Sequence, residues 1–166
     1  MGTKSEQNLK EAFAGESQAN RKYLAFAKQA DKEGYTQAAR LFRAAAEAET
    51  VHAHAHLRAL GGIKSTKENL QAAIAGETEE FVSMYPAMIA AAEEEGNEAA
   101  LRSFRFANEV EKVHAGLYGK ELASLDDKGE LFDYFVCPVC GHTVEKEAPE
   151  TCAVCGAKGA AFIRIA

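Results

Sequence analysis

Glu49-Thr50-Val51-His52 and Glu111-Lys112-Val113-His114 are two copies of one pattern, Glu-x-x-His, set 62 residues apart. Residues three apart on a helix share a face, so in each copy the carboxylate and the imidazole reach one point. Each copy is preceded, 33 or 34 residues upstream, by a lone glutamate in an Ala-Gly-Glu triplet, Ala14-Gly15-Glu16 and Ala75-Gly76-Glu77. Four helices that each turn one carboxylate inward, two of them adding a histidine, make a binding site for a pair of metal ions in a helical bundle.

The sequence around these residues reads as helix. Leu9, Phe13, Ala14, Leu24 and Ala27 recur at helical spacing, which predicts a first helix over Ser5–Lys32 stopped by Gly34. Leu41, Phe42, Ala45, Ala48, His52 and Leu57 predict a second over Thr36–Leu60, ended by Gly61-Gly62. Ser65 and Glu68 form a capping box, hydroxyl and carboxylate each satisfying a free backbone N–H, at the start of a third helix. That helix runs to about Glu95, with a kink or local break expected at Pro86. The fourth runs from about Glu98 to Leu122 or a few residues beyond, and Asp126-Asp127-Lys128-Gly129 reads as a polar linker.

The helical part is an internal repeat. At an offset of 61, Asn8-Leu9 matches Asn69-Leu70 and Glu16 matches Glu77. At an offset of 62, Tyr23 matches Tyr85, Phe42-Arg43 matches Phe104-Arg105, and Glu49 and His52 match Glu111 and His114. Two copies of a helical hairpin fit a bundle with an internal two-fold axis; a solenoid needs more repeats. Apolar residues flank each glutamate: Phe13 by Glu16, Phe42 by Glu49, Ile74 and Phe81 by Glu77, Phe104 by Glu111. Four inward carboxylates without a cation would cost several kcal/mol each. A site rich in carboxylates with two imidazoles suits iron or manganese better than zinc. Any one of these glutamates alone reads as a solvated helix residue; the matched set does not.

The repeat is unequal at Glu80. It shares a face with Glu77, and its counterpart in the first repeat is Ala19. A metal offered both Glu80 and His52 could exchange one for the other with redox state. Tyr23 and Tyr85 lie about two turns after Glu16 and Glu77, where a phenol can hydrogen-bond a ligating carboxylate or serve as a core aromatic. His54 and His56 read as surface or structural residues, and Met84 and Met88 as core fillers.

Beyond the linker, β-branched and aromatic residues cluster at Tyr134-Phe135-Val136 and Phe162-Ile163-Arg164-Ile165, which reads as a loop-rich module with short strands. Cys137-Pro138-Val139-Cys140-Gly141 and Cys152-Ala153-Val154-Cys155-Gly156 are two Cys-x-x-Cys-Gly knuckles, a strong signal for one tetrathiolate site. Each glycine permits a tight turn that aims backbone N–H groups at sulfur. Spacing alone leaves zinc and iron open.

The remaining features narrow the class. The chain has 166 residues, with 25 acidic against 19 basic side chains and no dense basic run, so a nucleic-acid groove is not expected. The first ten residues lack an apolar stretch, and no run of 18 apolar residues occurs, so neither an export signal nor a membrane span is expected.

Ala-Gly-Glu followed by Glu-x-x-His, twice, and then paired Cys-x-x-Cys-Gly resembles the rubrerythrin family over nearly the whole chain. The resemblance implies an all-α ferritin-like four-helix bundle over residues 1–128 and a rubredoxin-like module over 129–166. It implies that Glu16, Glu49, Glu77, Glu80, Glu111 and His114 ligate two non-haem irons and that His52 exchanges with Glu80. Tyr23 and Tyr85 match the family's tyrosines beside the ligands. Cys137, Cys140, Cys152 and Cys155 would hold one iron, with zinc as a possible substitute. The implied activity is reduction of hydrogen peroxide to water, a defence against oxidative stress, with electrons from NAD(P)H through a reductase or rubredoxin. The implied location is cytoplasmic. An iron-storage ferroxidase is the alternative, and a redox-inert zinc-ribbon scaffold a third class.

Chain length also bears on assembly. In a ferritin-like bundle the second and third helices run parallel, so the chain must return along about 34 Å of helix, from Glu49 to the end of one and from the start of the next to Glu77. The five links from Gly61 to Thr66 span at most roughly 18 Å. A domain-swapped homodimer is therefore expected, each site drawing Glu16, Glu49 and His52 from one chain and Glu77, Glu80, Glu111 and His114 from its partner; an all-antiparallel bundle, in which a short link suffices, is the competing arrangement.

Overall fold

The computed structural model describes residues 2–127 and 131–166. They fall into two compact units, Met1–Lys64 and Ser65–Ala166. The boundary expected at 128/129 falls on residues outside this description.

The first unit is an antiparallel hairpin of α1 (Lys4–Lys32) and α2 (Thr36–Ala59). Thr3 and Glu6 cap α1 reciprocally. It ends where Gly34 takes φ +82°, which lets Tyr35 N–H reach Ala30 C=O and Gly34 N–H reach Asp31 C=O. The same device closes α2 at Gly61. The seam is made of small residues: Ala39, Ala46 and Ala53, seven apart, are buried with Ala27 and Ala30. Alanine lets the two helices approach closely but removes little apolar surface from water. The large side chains lie outside the seam, with Phe26 47%, Leu41 67% and Val51 59% exposed.

The second unit begins with the expected Ser65–Glu68 capping box on α3 (Thr66–Glu79). A π-helical segment over Glu80–Met84 comes next, and then α4 (Tyr85–Glu94). The expected disruption at Pro86 therefore lies just before it, and Pro86 itself sits in the first turn of α4, where a missing N–H is tolerated. The π turn explains the step in the repeat. The offset grows from 61 at Glu77 to 62 at Tyr85, so one extra residue lies between them. A π turn absorbs one residue without rotating the helix beyond it. Tyr85 accordingly packs on Phe104 with ring centroids 6.3 Å apart, as Tyr23 packs on Phe42 at 6.2 Å.

Helix α5 (Glu98–Ser124) returns against α3 and α4. The repeat extends to surface ion pairs near each turn, Arg43 with Asp31 and Arg105 with Glu93. Both are exposed and contribute little to stability. Met88, expected in the core, is 39% exposed.

The C-terminal module is a three-stranded antiparallel sheet in the order β2–β1–β3: β1 (Tyr134–Val136), β2 (Thr143–Glu145) and β3 (Ile163–Ile165). Phe135 stands opposite Val144 on one side and Arg164 on the other. Sequence reading anticipated β1 and β3 but not β2, which is three residues long and lies between turns. The module rests on α5 through β2, with Lys120 and Glu145 paired at 2.8 Å.

Deleting Val82 together with Pro86→Leu should give a continuous helix in the first hairpin's register, with Tm shifted by less than about 5 °C. Circular dichroism melting checks this. Deleting Val51, where no extra residue exists to remove, should abolish the cooperative transition.

Candidate metal centres

In the first unit, α1 supplies Glu16 and α2 supplies Glu49 and His52, and one ligand atom from each lies within 4.8 Å of the others. His52 Nδ1 is 2.9 Å from Glu49 Oε2 and 3.9 Å from Glu16 Oε1. In the second, α3 supplies Glu77 and α5 supplies Glu111 and His114, within the same span. His114 Nδ1 is 2.8 Å from Glu111 Oε2 and 3.9 Å from Glu77 Oε2. The two clusters are copies in geometry as well as in sequence. Each presents two carboxylates and the Nδ1 edge of an imidazole to one point.

They differ in setting. His52 is 55% exposed and His114 26%. Glu80 stands on the π segment beside the second cluster, outside the set of atoms within mutual reach. Burial raises the Glu80 carboxyl above its ordinary value, the charge of Glu77 raises it further, and His114 opposes. Glu77 is raised by burial first, then by its hydrogen bond to Glu111 and that group's charge, again against His114. Tyr85 is raised by burial and then by Glu111, Glu80 and Glu77, which sets its phenol in the field of the same carboxylates. Tyr23 lies among rings, 6.4 Å from Phe26 and 6.2 Å from Phe42. His54 is exposed and His56 half-buried on α2, outside either cluster.

This donor set fits a divalent or trivalent cation. Carboxylates held this close repel one another, and a cation between them removes that repulsion.

The third cluster is made by the two knuckles. Gly141 and Gly156 take φ +85° and +76°. Their N–H groups bond Cys137 and Cys152 C=O, both at 2.9 Å. His142 and Ala157 N–H groups then point at the sulfurs of Cys140 and Cys155. Burial opposes ionisation of Cys137, but N–H groups of Cys140 and Val139 and the neighbouring thiols bring it down to about 7. Burial pushes the Cys140 thiol up. The sulfurs of Cys137 and Cys155 are 3.6 Å apart, as are those of Cys140 and Cys152. Opposite edges of that length belong to a tetrahedron with centre-to-vertex distance about 2.2 Å, close to a metal–thiolate bond of ~2.3 Å and unlike a disulfide.

Thr143 was not anticipated. Its hydroxyl lies 3.0 Å from His114 Nε2 and donates to Gly141 C=O at 3.1 Å. A hydroxyl three residues after Cys140 was the only trace in the sequence. His142, beside it, is half-buried, with its Nδ1 atom shielded from solvent and unpartnered among the described residues, and burial, then the charge of His114, lowers its basicity. His114 and Thr143 line an open groove of about 860 Å³ between α5 and the sheet.

Comparison with known proteins respects this division. The model of the rubrerythrin family matches residues 7–122, and that of the rubrerythrin rubredoxin-like domain matches 135–163. The chain is 40% identical to a rubrerythrin of Porphyromonas gingivalis, over 97% of this chain and 90% of the relative. It is 38% identical to nigerythrin of Nitratidesulfovibrio vulgaris, over 90% of this chain and 80% of that one. A structure of partially reduced nigerythrin matches 99% of this chain and 88% of its own, with TM-score 0.61 and 34% identity.

A carboxyl raised on folding binds its proton more tightly in the folded state. Its stabilising contribution is whole below the ordinary carboxylate range and is lost as pH climbs through the raised value. Relative to the Glu77→Gln/Glu80→Gln variant, the metal-free protein should therefore lose Tm as pH rises above that range, and added ferrous ions should remove the difference. Scanning calorimetry against pH measures it; a relative Tm that rises instead would contradict the assignment.

Proposed function

The chain belongs to the rubrerythrin family, and on that basis we propose that it is a peroxidase that reduces hydrogen peroxide to water. The observation that carries the proposal is the pairing, in one chain, of two carboxylate–imidazole clusters with a tetrathiolate cluster. These are the ligand groups of the family's iron centres.

Glu16, Glu49, Glu77 and Glu111 would hold two irons, with His114 a constant ligand and His52 exchanging with Glu80. Bound iron supplies the redox chemistry, two electrons and two protons converting hydrogen peroxide to two waters. The carboxylates neutralise the ferric charge that results. Glu80 belongs to the second repeat alone, so only one side of the site has a choice of ligand. The phenols of Tyr23 and Tyr85 would orient the ligating carboxylates. Cys137, Cys140, Cys152 and Cys155 would hold the iron that passes electrons on singly, received from an NAD(P)H-linked reductase or a rubredoxin. In this reading residues 1–128 are the catalytic domain and 129–166 the relay.

The assembly proposed is a homodimer in which the α1–α2 hairpin of one chain completes the site of its partner's α3–α5 hairpin. Two features support it. The Gly61–Thr66 link is too short to return along a bundle, and each cluster presents only half of the ligands. The exposed Phe26, Leu41 and Val51 of the first hairpin and Val82 of the second are apolar area that such an assembly would cover. The location proposed is cytoplasmic; among the described residues no helix is long and apolar enough to cross a membrane.

Stopped-flow oxidation of the anaerobically reduced protein tests the activity. Hydrogen peroxide should oxidise the carboxylate-bound iron at least about a hundredfold faster than dioxygen, about 2.7 kcal/mol in barrier. Faster oxidation by dioxygen with growth of a ferric mineral would assign it to iron storage instead.

A further inference from the structure

His114 and His52 occupy equivalent positions in the repeat but are held differently. On the Nδ1 side each meets two carboxylates, at 2.8 and 3.9 Å for His114 and at 2.9 and 3.9 Å for His52. On the Nε2 side, His114 meets the Thr143 hydroxyl at 3.0 Å. Among the described residues no hydrogen bond reaches Nε2 of His52 within its own hairpin, and that ring is 55% exposed. The helical repeat accounts for the Nδ1 contacts. The Nε2 contact comes from outside it, from β2 of the cysteine module.

A hydroxyl has one proton to give. Thr143 gives its own to Gly141 C=O at 3.1 Å, so toward His114 it can only accept. The proton between the two side chains must therefore sit on Nε2. With Nε2 protonated, Nδ1 is the nitrogen left to bind a cation between Glu77 and Glu111; without one, its 2.8 Å contact with Glu111 holds a proton of its own. The carbonyl that fixes the hydroxyl is that of Gly141, the turn residue directly after Cys140, whose N–H bonds Cys137 C=O.

We propose that Thr143 is a positioning residue: it sets the His114 tautomer and ring orientation for metal binding through Nδ1, and ties that ring to the Cys140 turn. This makes His114 the constant ligand, and the lack of an equivalent acceptor leaves His52 free to turn away. A hydrogen-bond acceptor behind a metal-bound imidazole fixes the tautomer and raises the basicity of the ligating nitrogen, and its loss typically lowers metal affinity 10–100-fold. The inference deepens the ligand assignment proposed above and rests on it for the identity of the site, but not on peroxidase activity.

The test uses the full-length protein loaded with zinc(II) at every site, which is diamagnetic, in wild-type, Thr143→Val and Thr143→Ser forms. Two quantities are read: zinc affinity of the carboxylate sites by chelator competition, and exchange with water of the His114 Nε2–H proton by ¹H–¹⁵N NMR. Thr143→Val should weaken the zinc affinity by about tenfold or more and speed the proton's exchange, and Thr143→Ser should restore both. Retention of zinc by the four cysteines shows that the module is folded; if Thr143→Val does not fold, Thr143→Ala carries the same comparison. Unchanged affinity and exchange in a folded variant would overturn the proposal, as would failure of serine to restore them. A wild-type protein that shows this pattern yet does not turn over hydrogen peroxide would refute the peroxidase reading and leave the role of Thr143 standing.

Discussion

Like charges brought to one point on a helical hairpin govern this protein. Glu16 faces Glu49 across α1 and α2, and Glu77 faces Glu111 across α3 and α5, each pair with an imidazole between. In the second hairpin burial first, and then the neighbouring carboxylates, raise Glu77 and Glu80 toward protonation. The packing around them is suited to this. The first hairpin's seam is alanine, which places the backbones close together but leaves the larger apolar side chains outside it. In the proposed dimer, covering those side chains and binding metal ions would supply stability that the alanine seam does not.

The cysteine module solves the same problem on a smaller scale. Four sulfurs are gathered at tetrahedral spacing by two turns that are copies of one another, each held by a glycine at positive φ and by N–H groups directed at sulfur. These dipoles favour the thiolate form, while burial opposes it at Cys137, Cys140 and Cys155. Cys137 is lowered and Cys140 raised, the pattern of a cluster short of positive charge. The module sits on the helix that carries Glu111 and His114, and Thr143 bonds across to His114. The two kinds of metal centre in the second unit are thus linked through the side chains of His114 and Thr143 and the carbonyl of Gly141.

What could be read in the sequence was whatever local chemistry repeats. The Glu-x-x-His pairs, the Ala-Gly-Glu triplets, the knuckles and the Ser65 cap are set by spacing within a turn or two, and the structure brings Glu16, Glu49 and His52 together, and Glu77, Glu111 and His114, with Glu80 outside the second group. The π segment was legible in principle, since the offset steps from 61 to 62 between Glu77 and Tyr85, but Pro86 drew attention to a kink instead. Strand β2 and Thr143 were not legible. Three residues between turns have no periodicity to detect. A bond between residues 29 apart depends on how the module lies on α5, which no local pattern encodes.

The central claim is that each hairpin carries half of a metal site and that the halves meet across two chains. Mixing two inactive variants tests it directly, one with Glu16→Ala/Glu49→Ala and the other with Glu111→Ala/His114→Ala. In a swapped dimer the mixed pair joins the intact first hairpin of one chain to the intact second hairpin of the other. One site of the two is then whole. Unfolding and refolding the mixture with iron should restore about a quarter of wild-type peroxide reduction, half of the dimers being mixed with one active site of two. If each chain closes its own site, every site keeps a defect and the mixture stays as inactive as its parts.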